Sequence, residues 1–179
     1  LLAGLAAGRG ARVLACERLP HRARLVRQAL RGGEGARGVV CADGTRPAWR
    51  PQSFDRVLAD VPCTGMGALR RRPESRWRRG PDDVPQLTAL QRSLLGSAVD
   101  SCRTGGVVAY VTCSPHPAET RGVVDAVLRE RCDVVEEDAR ELLPDVPDVG
   151  PGPSVHLWPH RHGTDAMFLA ALRRREPSG

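Results

Sequence analysis

The chain predicts an α/β fold: a mostly parallel sheet with helices on both faces and an antiparallel element near the C-terminus. Short apolar runs of strand length alternate with segments of helical period, the order that builds parallel sheets. Glu17, Asp43, Asp60 and Cys113 stand at or just after the ends of four such runs, where open α/β sheets keep their chemistry. Two late runs, 155–158 and 166–172, read as a closing antiparallel pair. The 179 residues make one domain's worth of chain. A domain of that size buries roughly 70% of the surface its unfolded form would expose, enough for a single core.

Residues 1–8 (LLAGLAAG) read as the end of an apolar helix closed by Gly8 and Gly10, with no start signal before it. Residues 11–16 make a strand. Pro20 then opens a helix with Leu19, Ala23, Val26 and Leu30 on one face, and Gly32 and Gly33 end it. Residues 38–42 form the second strand, the Gly-, Pro- and Trp-punctuated stretch 43–53 a loop, and 54–59 the third strand. After a long arginine-rich loop, 85–102 is an amphipathic helix with Leu87, Leu90, Leu94 and Ala98 spaced for burial. Asp82 and Asp83 favour its positive N-terminal end, and Gly105 and Gly106 terminate it. Strand 107–112, helix 117–131 and a short strand at Val134 and Val135 follow. The acidic, Pro-rich segment 136–153 reads as irregular. The domain is drawn over 1–173, with 174–179 as a frayed tail.

Against 21 acidic residues stand 27 basic ones, a net charge of +6 with an isoelectric point near 9.5, which favours a polyanionic partner. Every basic residue counted there is arginine, and lysine, asparagine and isoleucine are absent, a pattern of GC-rich coding. The position of the arginines is therefore more informative than their number. Six cysteines, Cys16, Cys41, Cys63, Cys102, Cys113 and Cys132, are scattered without a secretory segment, which fits a reducing cytoplasm better than a disulfide scaffold. No apolar run approaches the roughly 20 residues of a membrane span, so no membrane partner is expected. His160, His162 and Asp165 lack the spacing of C-x-x-C or H-E-x-x-H sites, and no metal is expected there.

Residues 60–77, DVPCTGMGALRRRPESRW, are followed at 111–114 by VTCS, so two cysteines each come shortly after a strand. Asp-x-Pro-Cys-Thr-Gly-x-Gly with Arg-Arg-x-Pro and a nearby Trp, and Thr-Cys-Ser after a Tyr-containing strand, resemble two motifs of the RsmB/Sun-type (NOL/NOP/Sun) RNA cytosine-C5 methyltransferases. The resemblance extends over nearly the whole chain. It implies a Rossmann-like class I S-adenosylmethionine-dependent methyltransferase sheet. It further implies that Cys113 is the nucleophile adding to cytosine C6, that Cys63 assists release of the covalent adduct, and that Asp60 contacts the base and the methionyl side of the cofactor. Such chemistry needs a thiol beside the base, because C5 is too weak a nucleophile unaided. A free thiol near pKa 8.5 is about a few per cent ionised at neutral pH, so the helix entry at Pro115 and Pro117 is expected to assist Cys113. Glu17, at a strand end, suits the ribose hydroxyls of S-adenosylmethionine. By the resemblance, Asp43 contacts the adenine edge.

Arg70, Arg71, Arg72 and Arg76, with Trp77 among further arginines, suit phosphates and a stacked base, and are the expected RNA contacts. HGTDAMFLAAL, residues 162–172, is similar to the family's last motif, commonly Asp-Gly-Phe-Phe, with Ala166 and Met167 in place of Gly and the first Phe. No Asp-x-Cys-Ala-x-Pro-Gly-Gly-Lys-like stretch occurs, so the chain is expected to be N-terminally truncated. The first sheet strand, its glycine loop and any upstream RNA-binding domain would be missing, and the fragment inactive alone. The expected activity is methylation of small-subunit (16S) ribosomal RNA by a cytoplasmic monomer. Transfer RNA is the alternative substrate, and a non-catalytic RNA-binding module the alternative of another class.

Overall fold

The computed structural model describes residues 1–176 and divides into two compact units, Leu1–Arg50 and Pro51–Gly179. Residues 177–179, part of the expected frayed tail, lie outside the described residues.

In the first unit, α1 (Leu2–Ala7), β1 (Val13–Glu17), α2 (Pro20–Ala29) and β2 (Ala36–Cys41) follow in order. The two strands pair in parallel with Glu17 opposite Cys41, so their carboxyl ends lie side by side. Proline at the first position of α2 costs no hydrogen bond, since that N–H has no partner in a helix anyway. Of the stripe expected on α2, only Ala23 is buried, and Leu19 is exposed. Ala3 and Ala23 are the buried apolar residues of this unit, while Leu2, Leu5 and Leu25 face outward. Gly35 lets the entry to β2 pass tightly against α1: a Cβ there would stand 2.0 Å from the Ala3 carbonyl oxygen.

The second unit contains β3 (Phe54–Asp60), α3 (Val84–Ser101), β4 (Cys102–Thr112), α4 (Arg121–Glu130), β5 (Val134–Glu137), β6 (Val155–Leu157), α5 (Pro159–His162) and β7 (Met167–Arg174). Its sheet runs β3-β4-β7-β5, with β6 also paired to β7. β3 and β4 are parallel, and β7 is antiparallel to β4, β5 and β6. Leu95 and Val99 of α3, Val123, Val124 and Val127 of α4, and Val108, Tyr110, Phe168 and Leu172 of the sheet form the main core. Each such aliphatic side chain contributes about 1.5–3 kcal/mol by leaving water. Tyr110 meets Phe168 edge-on, with ring centroids 6.0 Å apart.

Several boundaries differ from the sequence-based expectation for identifiable reasons. The buried line of α3 is Leu87, Gln91, Leu95, Ala98 and Val99, whereas Leu90 and Leu94 are only half-buried. A glutamine occupies that line because its amide donates to the Pro62 carbonyl at 2.8 Å. Gly105 and Gly106 do not end the helix; they lie inside β4, which starts at once after α3. Gly105 takes φ +78°, and a Cβ on Gly106 would stand 2.6 Å from the Asp55 carbonyl oxygen, where the pairing with β3 slips register. The expected helix 117–131 breaks at Thr120 (φ −110°, ψ −101°) into a 3-10 turn, Pro117–Glu119, and α4.

The segment 136–153 carries the end of β5 and a second small core, in which Ala139 and Val149 are buried with Val155 and Ala171. β7 continues to Arg174, one residue past the boundary drawn from sequence. Nη1 of Arg174 donates to the carbonyls of Val99, Asp100 and Cys102 at 3.0, 3.0 and 2.8 Å. These carbonyls belong to the last turn of α3, where helical N–H partners run out, and to the first residue of β4, so the last strand is tied to the junction between them.

Candidate active site

Asp60 stands opposite Val111 in the parallel β3/β4 pair, so the loops that follow leave the same edge of the sheet together. The Val61 N–H donates to the Val111 carbonyl at 3.1 Å and keeps the two chains adjacent one step further. Cys63 and Cys113 thereby face each other, Sγ to Sγ at 3.4 Å, both half-buried. A second strap holds them: Gly67 N–H donates to the Cys113 carbonyl, and Ala166 N–H to the Gly67 carbonyl, each at 2.9 Å. Only glycine fits at 67, because a Cβ would lie 2.1 Å from the Ala166 oxygen and 2.7 Å from the Cys113 oxygen.

Beneath the thiols lies a carboxylate that the sequence reading passed over. Glu119 is fully buried. Its Oε1 accepts from the Thr64 N–H at 2.9 Å and from the Gln91 amide at 3.1 Å. Its Oε2 accepts from the hydroxyls of Thr64 and Ser114, both at 2.6 Å. Thr64 follows Cys63 and Ser114 follows Cys113, so one side chain clasps both cysteine loops and α3. Four donors occupy a group that can only accept, which is how a carboxylate is carried inside a protein without a cation. The Tyr110 hydroxyl adds a bond to the Glu119 carbonyl at 2.6 Å. The sequence signal for all this is faint: an acid six positions after Cys113, in a segment that otherwise reads as helix.

The paired sulfurs divide their protons unequally. The Cys113 thiol donates to Cys63 and lowers its pKa to about 6, against burial, which acts in the opposite direction. Cys113 is pushed up, first by that same bond, then by burial and by the negative charges of Cys63 and Asp60. The pair therefore releases one proton easily and the second with difficulty. The helix entry at Pro115 and Pro117 was expected to assist ionisation of Cys113; thiolate character falls on Cys63 instead, which is favoured first by the bond from Cys113 and then by the Thr112 side chain and the Gly65 backbone.

The remaining candidates separate into groups. Arg70 and Arg71 both pair with Asp165: Arg70 Nε lies 3.4 Å from Oδ1, and Arg71 Nε lies 3.0 Å from both carboxylate oxygens. Asp165 is 8% exposed, and the Arg71 guanidinium holds its carboxyl below the ordinary carboxylate value. These two arginines thus fasten the loop to the turn before β7. Arg72, Arg76 and Trp77 are exposed, Trp77 to 83%, and the Arg76 guanidinium stands 5.9 Å from the centre of the Trp77 ring.

Glu17 and Asp43 belong to the first unit, at the carboxyl ends of β1 and just after β2. Glu17 accepts from the Leu19 N–H at 2.9 Å and lies 3.4 Å from Arg22 Nε. Asp43 closes a turn by accepting from the Thr45 N–H at 2.9 Å and the Thr45 hydroxyl at 2.8 Å, which lowers its pKa. His162 is occupied structurally, with Nδ1 accepting from the Trp158 N–H at 2.9 Å and Nε2 3.0 Å from the Pro147 carbonyl. Among the described residues no helix is long and apolar enough to cross a membrane, and no group of three or more His, Cys, Asp or Glu side chains is arranged to hold a metal.

The chain has known relatives. The family model for the 16S rRNA methyltransferases RsmB/F matches residues 1–173. A Mycobacterium tuberculosis (strain ATCC 25618 / H37Rv) protein named as a methyltransferase, Rv1407, is 57% identical over 175 residues, which is 97% of this chain and 37% of that protein. Ribosomal RNA small subunit methyltransferase B of Vibrio cholerae is 33% identical over 159 residues, covering 86% of this chain and 34% of its own length. The chain thus spans little more than a third of these relatives. Among solved structures, the crystal structure of PH0851 superposes with TM-score 0.81 at 26% identity, over 91% of this chain and 37% of that one. NSun6 from Pyrococcus horikoshii, solved with SFG, gives TM-score 0.74 at 24% identity over 91% and 41%, a likeness of fold.

Proposed function

We propose that this chain, which belongs to the RsmB/F family of 16S rRNA methyltransferases, supplies the cysteine pair of an S-adenosylmethionine-dependent RNA (cytosine-C5) methyltransferase acting on small-subunit ribosomal RNA in the cytoplasm. The observation that carries this reading is the 3.4 Å separation of Cys63 and Cys113 at the ends of two adjacent parallel strands. A relative of known name, methyltransferase B of Vibrio cholerae, is designated for the small-subunit ribosomal RNA. Bound S-adenosylmethionine would supply an electrophilic methyl group. Glu17 and Asp43 fit its ribose and adenine in kind, as acids at the carboxyl ends of parallel strands.

The sulfurs have complementary tasks in this scheme. Cys63, as thiolate, takes the Cys113 proton along their shared hydrogen bond. The freed Cys113 sulfur adds to cytosine C6, and the C5–C6 π electrons become available at C5, where the new carbon–carbon bond forms. Loss of the C5 proton then restores the ring double bond and expels Cys113 as thiolate. Cys63, once it has released the first proton to solvent, is again a thiolate beside Cys113 and takes the C5 proton. Asp60 ends β3 just before Cys63 and is assigned the amino edge of the base. Arg72, Arg76 and Trp77 supply exposed cations and an aromatic face for the RNA chain, while Arg70 and Arg71 hold their loop in place.

The test uses the full protein with unmodified small-subunit ribosomal RNA and, in parallel, transfer RNA transcripts. Cys113→Ala is expected to abolish methyl transfer to C5, and Cys63→Ala to accumulate a denaturation-resistant protein–RNA adduct. Normal C5 methylation by Cys113→Ala would overturn the assignment; preference for the transfer RNA would move the substrate but not the chemistry.

A further inference from the structure

We propose that the second unit carries a nucleobase pocket beside the thiols, which receives the nucleotide flanking the target cytosine in the substrate RNA. The proposal rests on the function assigned above and extends it to substrate recognition. A cavity of about 260 Å³ is walled by Met66, Leu69 and Val84, with Arg76, Arg79 and His116 among its polar lining. Thr64 also lines it. Pocket and sulfur pair are therefore made from the same two loops: Thr64 adjoins Cys63, and the His116 N–H is bonded to Ser114 Oγ, beside Cys113, at 3.1 Å.

Its chemistry selects the occupant. Aliphatic walls suit the flat face of an aromatic base, whose burial needs no particular sequence. His116 Nδ1 is engaged, accepting from the Ala118 N–H at 3.1 Å, so Nε2 is the ring atom left to meet a polar base edge. Arg76 and Arg79 bring positive charge to the same cavity, next to Arg72 and Arg78, and no acid lines it. Arg79 shares Nη1 with Asp83 at 3.1 Å, and Arg76 gives Nε to the Pro73 carbonyl at 3.2 Å. Both guanidiniums are thus oriented before a phosphate arrives, and each carries five N–H donors, more than these bonds consume. An apolar slot with cations and one ring donor fits a nucleotide, base inward and phosphate outward. It does not fit an acidic peptide, which has no use for the apolar walls.

The experiment separates base entry from charge attraction. Binding of a fluorescein-labelled hexaribonucleotide of alternating adenosine and cytidine is measured by anisotropy, beside the same hexamer with abasic riboses. The protein is expected to prefer the intact hexamer by about tenfold, as base stacking in apolar sites does. Leu69→Trp, which fills the slot, should bring the two affinities within about twofold while leaving abasic binding unchanged, since phosphate contacts survive. His116→Ala, a smaller change, should reduce the preference in the same direction. Equal affinity of the wild type for both hexamers, or an undiminished preference in Leu69→Trp and His116→Ala, would overturn the proposal. Methyl transfer to unmodified small-subunit ribosomal RNA is followed on the same preparations. Its absence from the wild type would remove the assigned function, while the ratio of hexamer affinities would still judge the pocket.

Discussion

The two units solve the same topological problem with very different amounts of buried matter. In Leu1–Arg50 two parallel strands and two helices close over two buried alanines, and five leucines stay exposed. In Pro51–Gly179 the β3/β4 pair is backed by α3 and α4 and extended by three antiparallel strands, and its core contains Leu95, Tyr110, Phe168 and Leu172, none measurably exposed. Each presents its chemistry at the carboxyl ends of parallel strands. Under the proposed function the difference teaches where rigidity is invested: the reacting sulfur pair must be held to fractions of an ångström, whereas acids that only hydrogen-bond a cofactor tolerate a looser frame.

The strongest blow to the rigid unit should be Glu119→Ala, which strips partners from two hydroxyls, an N–H and an amide in one step. A loss of about 4 kcal/mol is expected, read as a lowered midpoint in urea unfolding followed by tryptophan fluorescence. Leu95→Ala, at a fully buried site, should cost about 3 kcal/mol. Leu25→Ala, 62% exposed in the first unit, should change stability by less than about 0.5 kcal/mol. Equal costs at the two leucines would erase the contrast. Amide hydrogen exchange sharpens it further: β1 and β2 should exchange through openings of lower free energy than β4 and β7.

A smaller effect is expected at Asp165, where Arg71 depresses the carboxyl pKa. A folded value below the unfolded one, about 3.9, makes its contribution complete above that pH and lost as pH falls through the folded value. Asp165→Asn should therefore lower the urea midpoint at pH 7 and leave it nearly unchanged at the acid end. The same shift at both ends would assign the residue a packing role instead.

Much of this was legible because its causes are local. Strand ends at Glu17, Asp60 and Thr112, the amphipathic α3 and the late antiparallel pair follow from side-chain period and turn residues. The cysteine pair was legible as two motifs, and parallel pairing of β3 with β4 is what converts fifty residues of separation into 3.4 Å. What escaped depends on partners distant in sequence. Gln91, which is outside the expected apolar stripe, is buried because Pro62 and Glu119 bond it. Gly106 reads as a helix stop until the Asp55 carbonyl crowds it. Arg174 reads as tail until the end of α3 offers it three carbonyls. Arg70 and Arg71 read as free phosphate ligands until the fold brings Asp165 between them.

The sharing of one proton by two sulfurs is tested most directly by peptide-resolved alkylation with iodoacetamide across pH, which separates Cys63 from the exposed Cys16, Cys41 and Cys132. In the wild type, the Cys63 rate should rise with a midpoint near 6, because the thiolate is the reacting form. In Cys113→Ala the donor is gone, and the midpoint should climb toward the ordinary thiol value of about 8.5. A Cys63 midpoint that is ordinary in the wild type, or unmoved by Cys113→Ala, would contradict the paired-thiol account.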